Sequence, residues 1–152
     1  MQDIRALTER FRLEPHVEGG AFRELYHASG AAADRLASGV IYYALGAGEQ
    51  SDFHVLDSDE YWLYHAGTTL ELWSVKEDGS MRIDRLGLEE GAEPCVLMKA
   101  GVIFGARHAV DDEHAGIIVS CVTVPEFTYE HYRILPKEEM LEKYPASAAF
   151  FR

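Results

Sequence analysis

From Gly39 to Val124 apolar and polar residues alternate in short runs punctuated by turn residues, a pattern of period two that predicts strands. VIYYAL (40–45) is β-branched and aromatic; FHVL (53–56) and EYWLYHAG (60–67) flank Asp57-Ser58-Asp59 and are expected to form a hairpin-like pair. TLELWSV (69–75) sets Leu70, Leu72 and Ser74 against Thr69, Glu71, Trp73 and Val75, and Lys76-Glu77-Asp78-Gly79 turns the chain into MRIDRLG (81–87). CVLM (95–98), VIFGARHA (102–109) and IIVSCVTV (117–124) follow; YEHYRIL (129–135) reads as a strand or a short tail. Before these, Ala21, Arg23 and Leu25 alternate with Phe22, Glu24 and Tyr26, and the small residues 29–38 read as a loop. The period changes only at the ends. Ile4, Leu7 and Phe11 recur at helical spacing with Asp3 as N-cap, and Met140, Leu141 and Tyr144 form the apolar side of a helix over 137–145. About nine short strands between two small helices predict an all-β sandwich or barrel, one domain over residues 1–152.

One stretch departs from an ordinary half-buried strand. In Ser51–Gly67, Glu60, Trp62 and Tyr64 share one face and Tyr61, Leu63 and His65 the other. A buried face carrying a carboxylate, an indole and a phenol costs free energy unless those groups find partners, so such a face is expected to line a cavity.

Composition narrows what that cavity serves. The 152 residues are 47% hydrophobic and 26% charged, ordinary values for a globular chain. A formal charge of −12 argues against nucleic acid or an anionic membrane as partner. No apolar run reaches the roughly 20 residues that span a bilayer, and the charged N-terminus lacks a signal-peptide core. Cys95 and Cys121 are read as buried free thiols, and the cytoplasm is the expected compartment.

His54, Glu60 and Gly67 resemble the first short motif of the cupin superfamily of double-stranded β-helix barrels, with Asp52 near the slot of a further histidine. Lys99-Ala100-Gly101 resembles the turn of the second motif but leads to Phe104 where that motif has a histidine. A narrower set, P-H-x-E-G-G-x-F-x-E (Pro15 to Glu24), S-x-F-H (Ser51 to His54), D-E-x-W (Asp59 to Trp62) and P-x-F (Pro125 to Phe127), resembles one family of small single-domain cupins. That family, domain of unknown function 985, is often described as predicted sugar epimerases. Val17 and Lys99 stand where prolines are common in it. The resemblance implies a jelly-roll-like barrel with a pocket at one mouth, assembled as a homodimer.

His54, Glu60 and Tyr64 are the catalytic candidates: an imidazole base oriented by Asp59 or Glu60, with a tyrosine acid drawn from Tyr43, Tyr64 or Tyr132. The pocket candidates are His16, Glu18, Gly20, Phe22, Ser51, Phe53, Trp62, Phe104 and Phe127. No cofactor is expected; a divalent metal on His54, Glu60 and His16 is disfavoured, because Phe104 stands where a ligand would be needed. Arg107 and His108 either hold an anionic group or balance Asp111, Asp112 and Glu113. Tyr42, Trp73, Tyr129 and Phe150 are expected in the core or a dimer contact, and His27, His65, His114 and His131 as surface or structural residues. Three functions compete: an isomerase or epimerase acting on a small carbonyl compound such as a nucleotide sugar, a non-catalytic binder of small molecules, and a metal-dependent cupin enzyme. A small-molecule ligand is common to all three.

Overall fold

The computed structural model describes residues 4–32 and 34–151, with the backbone alone for 27–32. Asp3 as N-cap, and the side chain of His27, lie outside the described residues. Helix α1 (Ile4–Phe11) is followed by strands β1 (Glu14–Pro15), β2 (Ala21–Ala32), β3 (Arg35–Gly46), β4 (Gln50–Leu56), β5 (Asp59–Gly67) and β6 (Leu70–Val75). Then come β7 (Met81–Leu86), β8 (Cys95–Met98), β9 (Ile103–His108), β10 (Gly116–Val124), β11 (Tyr132–Ile134) and helix α2 (Lys137–Lys143). Among the described residues they form two sheets, β1-β2-β3-β10-β5-β8 and β11-β4-β9-β6-β7, whose strand pairs are antiparallel. This is the all-β, jelly-roll-like barrel that the alternation predicts.

Three expectations are corrected. Strands β4 and β5 are not a hairpin: β4 pairs with β9 and β11, β5 with β10 and β8, so Asp57-Ser58 carries the chain from one sheet to the other. Residues 29–38 are mostly strand, since the β2–β3 ladder runs on through Ala28↔Ser38, Ala31↔Leu36 and Ala32↔Arg35. Small side chains have little to bury, yet the backbone groups still pair, and Arg35 pins the hairpin by a two-pronged ion pair with Asp57 and a hydrogen bond to the Glu126 carbonyl. Cys95 is exposed at the start of an edge strand, while Cys121 is buried.

The inward residues fall into rows across the six-stranded sheet. Ile117 faces Leu45 and Gly67; Val119 faces Tyr43 and Tyr64; Cys121 faces Ile41 and Trp62; Thr123 faces Gly39 and Glu60. Leu45, Leu70, Leu72, Leu86, Ile117 and Val119 fill the barrel's closed end without exposure above 1%. Gly67 lies at φ 113° where a side chain would run into the Gly116 backbone, so a glycine is required there.

A second core lies outside the five-stranded sheet. Phe53, Trp73, Leu135, Met140 and Phe150 pack there beneath α2 and the chain end. Of the predicted apolar side of α2, Met140 is buried and Tyr144 half-buried, whereas Leu141 is exposed. On the opposite flank α1 packs on β3 and β10, with Phe11 against Tyr42 at 5.2 Å between ring centres. Among the described residues no helix is long and apolar enough to cross a membrane.

Candidate functional site

The open end of the barrel holds a cavity of about 150 Å³. Its wall combines His16, Glu18, His54 and Glu60 with Phe22, Ile41, Tyr43, Leu56, Trp62, Cys121, Thr123 and Phe127.

His54 arrives from β4, where a register irregularity between Ser51 and His54 turns both residues inward although they are an odd number apart. Its ring is 2% exposed and lies against Phe104 at 4.3 Å and Tyr132 at 5.7 Å. Nδ1 sits 2.7 Å from the Asp52 carbonyl and 3.4 Å from Glu18 Oε2. A carbonyl only accepts, so Nδ1 carries the hydrogen, and Nε2 is the nitrogen left to exchange a proton.

Glu18 is placed by a turn in which the His16 amide donates to the Gly20 carbonyl and the Gly19 amide to the His16 carbonyl. Gly19 and Gly20 lie at φ 106° and 71°, and side chains there would strike the Gln50 and Ala44 carbonyl oxygens. The turn is stitched to β4: the Asp52 amide donates to the Glu18 carbonyl, and Ser51 Oγ to Glu18 Oε2 at 2.9 Å. The Glu18 amide donates to His16 Nδ1, and burial lowers the pKa of His16, which favours its neutral form.

Glu60 and Trp62 enter from β5 in the other sheet. Glu60 Oε2 and the Trp62 indole N–H are buried without hydrogen-bond partners. Burial, reinforced by the charge of Glu18 and opposed by His54, pushes the Glu60 carboxyl up to about 7. The Cys121 thiol, beside Glu60 on β10, is likewise raised by burial. The Trp62 N–H and the Cys121 thiol lie near enough to ease the Glu60 pKa down, but neither makes a well-formed bond to Oε2, and a polar ligand would complete that oxygen and the indole N–H.

The structure therefore unites His16, Glu18, Phe22, His54, Glu60, Trp62 and Phe127 around one cavity. Ser51 and Phe104 stand behind that wall, one bonded to Glu18 and the other stacked on His54. Gly20 acts through its backbone. Phe53 does not belong: it points to the other side of β4, into the outer core against Phe150. Tyr64 is also outside, its hydroxyl donating to the Gly67 carbonyl. Asp59 does not orient His54, because its carboxylate takes Lys99 Nζ and the Ala100 amide on the surface; Asp52 and Glu18 fill that role. Of the other phenols, Tyr43 donates to the Gly19 carbonyl, and Tyr132 holds a shielded, unpartnered hydroxyl beside His54; burial raises the pKa of both.

Arg107 and His108 follow neither of their expected readings. Arg107 grips Glu71 and the Phe150 carbonyl over the Trp73 ring, while His108 bridges Thr68 and the Gly46 carbonyl. Glu24, Gly39, Ile41, Leu56, Cys121, Thr123, Thr128 and Tyr129 also line the cavity and were missed from sequence. Gly39, Ile41, Cys121 and Thr123 had one available signal, their inward parity on strands whose neighbours are pocket residues, whereas Tyr129, expected in the core or a dimer contact, reaches the cavity from the short turn Tyr129–His131.

Among the described residues no three His, Cys, Asp or Glu side chains converge as a ligand set. His54 Nδ1 faces a carbonyl and His16 Nδ1 accepts an amide, so each ring offers Nε2 to whatever enters the cavity.

Comparison with known proteins agrees with this architecture. The sequence pattern described as "Cupin superfamily (DUF985)" matches residues 5–135. The chain belongs to this cupin family. A crystal structure of a Shewanella oneidensis protein is similar to this cupin at 33% identity and a TM-score of 0.90, covering 98% of this chain and 94% of that one. A hypothetical protein from Leishmania major is similar at 27% identity and a TM-score of 0.84, covering 95% and 93%. Oxalate decarboxylase from Bacillus subtilis shares the fold alone, at 16% identity and a TM-score of 0.60, with 86% of this chain aligned to 34% of that one. No curated protein matches this cupin by sequence.

Proposed function

We propose that the cavity is a proton-transfer site for a small carbonyl compound, working as an isomerase or epimerase does. The observation that carries this reading is that His54 and Glu60 line one cavity from opposite sheets. Moving a proton next to a carbonyl requires a base on one side of the carbon and an acid or second base on the other. His54 Nε2 serves as one, its tautomer fixed through Nδ1 by Asp52 and Glu18. Glu60, titrating at about 7, exchanges a proton at neutral pH from the facing sheet. The unmet Trp62 N–H supports charge that develops on the carbonyl oxygen.

The test is proton exchange in D₂O, followed by NMR across a panel of small aldoses, ketoses and keto acids. The wild type is expected to exchange the hydrogen beside one carbonyl, and His54→Ala and Glu60→Gln to lose about 100-fold or more in rate. Full exchange in both variants sinks the assignment. The second reading, a binder without chemistry, draws support from the apolar wall of Phe22, Ile41, Leu56 and Phe127; it predicts a ligand that raises the melting temperature and is returned unexchanged.

Homodimerisation belongs to the same proposal. Tyr26, Val40, Val122, Tyr61 and Leu97 form one register row across the outer face of the six-stranded sheet, with Tyr26, Tyr61 and Leu97 exposed. Such an apolar stripe fits a second copy. Light scattering at micromolar concentration is expected to give a dimer that Tyr61→Glu converts to monomer; a monomeric wild type contradicts it. The cytoplasm is the proposed compartment, on the free thiols Cys95 and Cys121.

A further inference from the structure

The cavity is one-sided in charge. Among the described residues its wall carries the buried Glu18 and Glu60 and neither lysine nor arginine. Of its two histidines, His16 is held towards the neutral form by burial, and His54 is already engaged by Asp52 and Glu18. Arg107, the cation that the sequence offered for an anion, is committed to Glu71 outside the barrel. A phosphate or carboxylate entering here would meet buried carboxyls with no guanidinium or ammonium to hold it. The field of a chain with a net charge of −12 acts in the same direction.

Size and hydrogen bonding narrow the ligand further. A cavity of about 150 Å³ lies below the roughly 300–1,000 Å³ of usual ligand pockets and is too small to enclose a nucleotide. Its unmet groups are a donor, the Trp62 N–H, and a carboxyl, Glu60, that donates when protonated and accepts when ionised. A carbonyl oxygen answers the donor and a neighbouring hydroxyl answers the carboxyl. Ile41 and Leu56 offer the carbon skeleton an apolar surface. We infer that the cavity takes an uncharged hydroxycarbonyl compound, of about three to six carbons, and rejects phosphate esters, carboxylates and nucleotide sugars. This rests on the proton-transfer reading for calling the ligand a substrate; the charge selection stands on the wall alone.

The experiment uses the full wild-type chain in D₂O and matched compounds: glyceraldehyde, erythrulose and fructose, their phosphate esters, and pyruvate as a keto acid. Saturation-transfer NMR reads binding, and loss of the signal of the hydrogen beside the carbonyl reads exchange. At least one uncharged compound is expected to bind ten-fold or more tightly than its phosphate ester and than pyruvate. Equal or tighter binding of an ester or of pyruvate overturns the inference, and so does failure of every uncharged compound to bind. The two readings separate cleanly. Uncharged compounds bound without exchange uphold the charge selection and remove the chemistry; exchange confined to phosphate esters removes the charge selection and upholds the chemistry.

Discussion

The two ends of the barrel are built from the same strands to opposite ends. Along β3 the inward residues run from Leu45 through Tyr43 and Ile41 to Gly39, and along β10 from Ile117 through Val119 and Cys121 to Thr123. At the closed end they meet Leu70 in a dry apolar layer; at the open end they face Glu60, Trp62 and, from the other sheet, His54. Among the described residues no buried side-chain polar atom at the closed end lacks a partner. The open end keeps Glu60 Oε2 and the Trp62 N–H buried and unmet. Apolar burial therefore concentrates at one end, while the other keeps polar groups free for a ligand, as in a rigid scaffold that carries a site.

Substitutions should divide along that line. The largest effect is expected from Leu70→Ala, which empties part of the closed layer and should cost about 3–5 kcal/mol in urea unfolding; a loss below about 1 kcal/mol would mean the layer is not the main store of stability.

Next comes Glu60, where the sign reverses. Its folded pKa of about 7 exceeds its ordinary 4.5, so the folded state holds the proton more tightly than the unfolded chain. The contribution is fully present below pH 4.5 and is lost as the pH rises through 7, amounting to about 3 kcal/mol in all. Wild-type stability should fall between pH 4.5 and 7.5. Glu60→Gln should flatten that decline and unfold at higher urea than the wild type at pH 8. A parallel pH profile in the two proteins would show that Glu60 is not desolvated.

The smallest of these changes is Ser51→Ala. It removes the hydroxyl donor from buried Glu18 and should cost about 2 kcal/mol, while lowering the exchange rate because Glu18 is no longer held against His54. A stability loss with an unchanged exchange rate would reduce Ser51 to a packing role.

Much of this was legible in the chain. The alternation on β5 put Glu60 and Trp62 on the buried face, and the motif around Gly19-Gly20 marked the turn that presents Glu18. The parts that were not legible share a cause. Tyr64 has the same parity as Trp62, yet its hydroxyl closes onto Gly67 at the last pair of the strand, and Phe53 has the outward parity that a bulge at Ser51–His54 conceals. Parity gives a face, and depth along the barrel decides whether that face meets the cavity or the core.

By itself the sequence determined most of the strands, the buried face that carries Glu60 and Trp62, the terminal helices and the membership of a cupin family, because these depend on local periodicity and on short motifs. Only the tertiary structure decided that β4 and β5 lie in different sheets, that Glu18 and Asp52 orient His54, and that Asp59 turns away to Lys99. Those facts depend on which strands exchange hydrogen bonds across long stretches of chain. A backbone ladder is nearly indifferent to side-chain identity, so the pairing leaves little trace in any one segment.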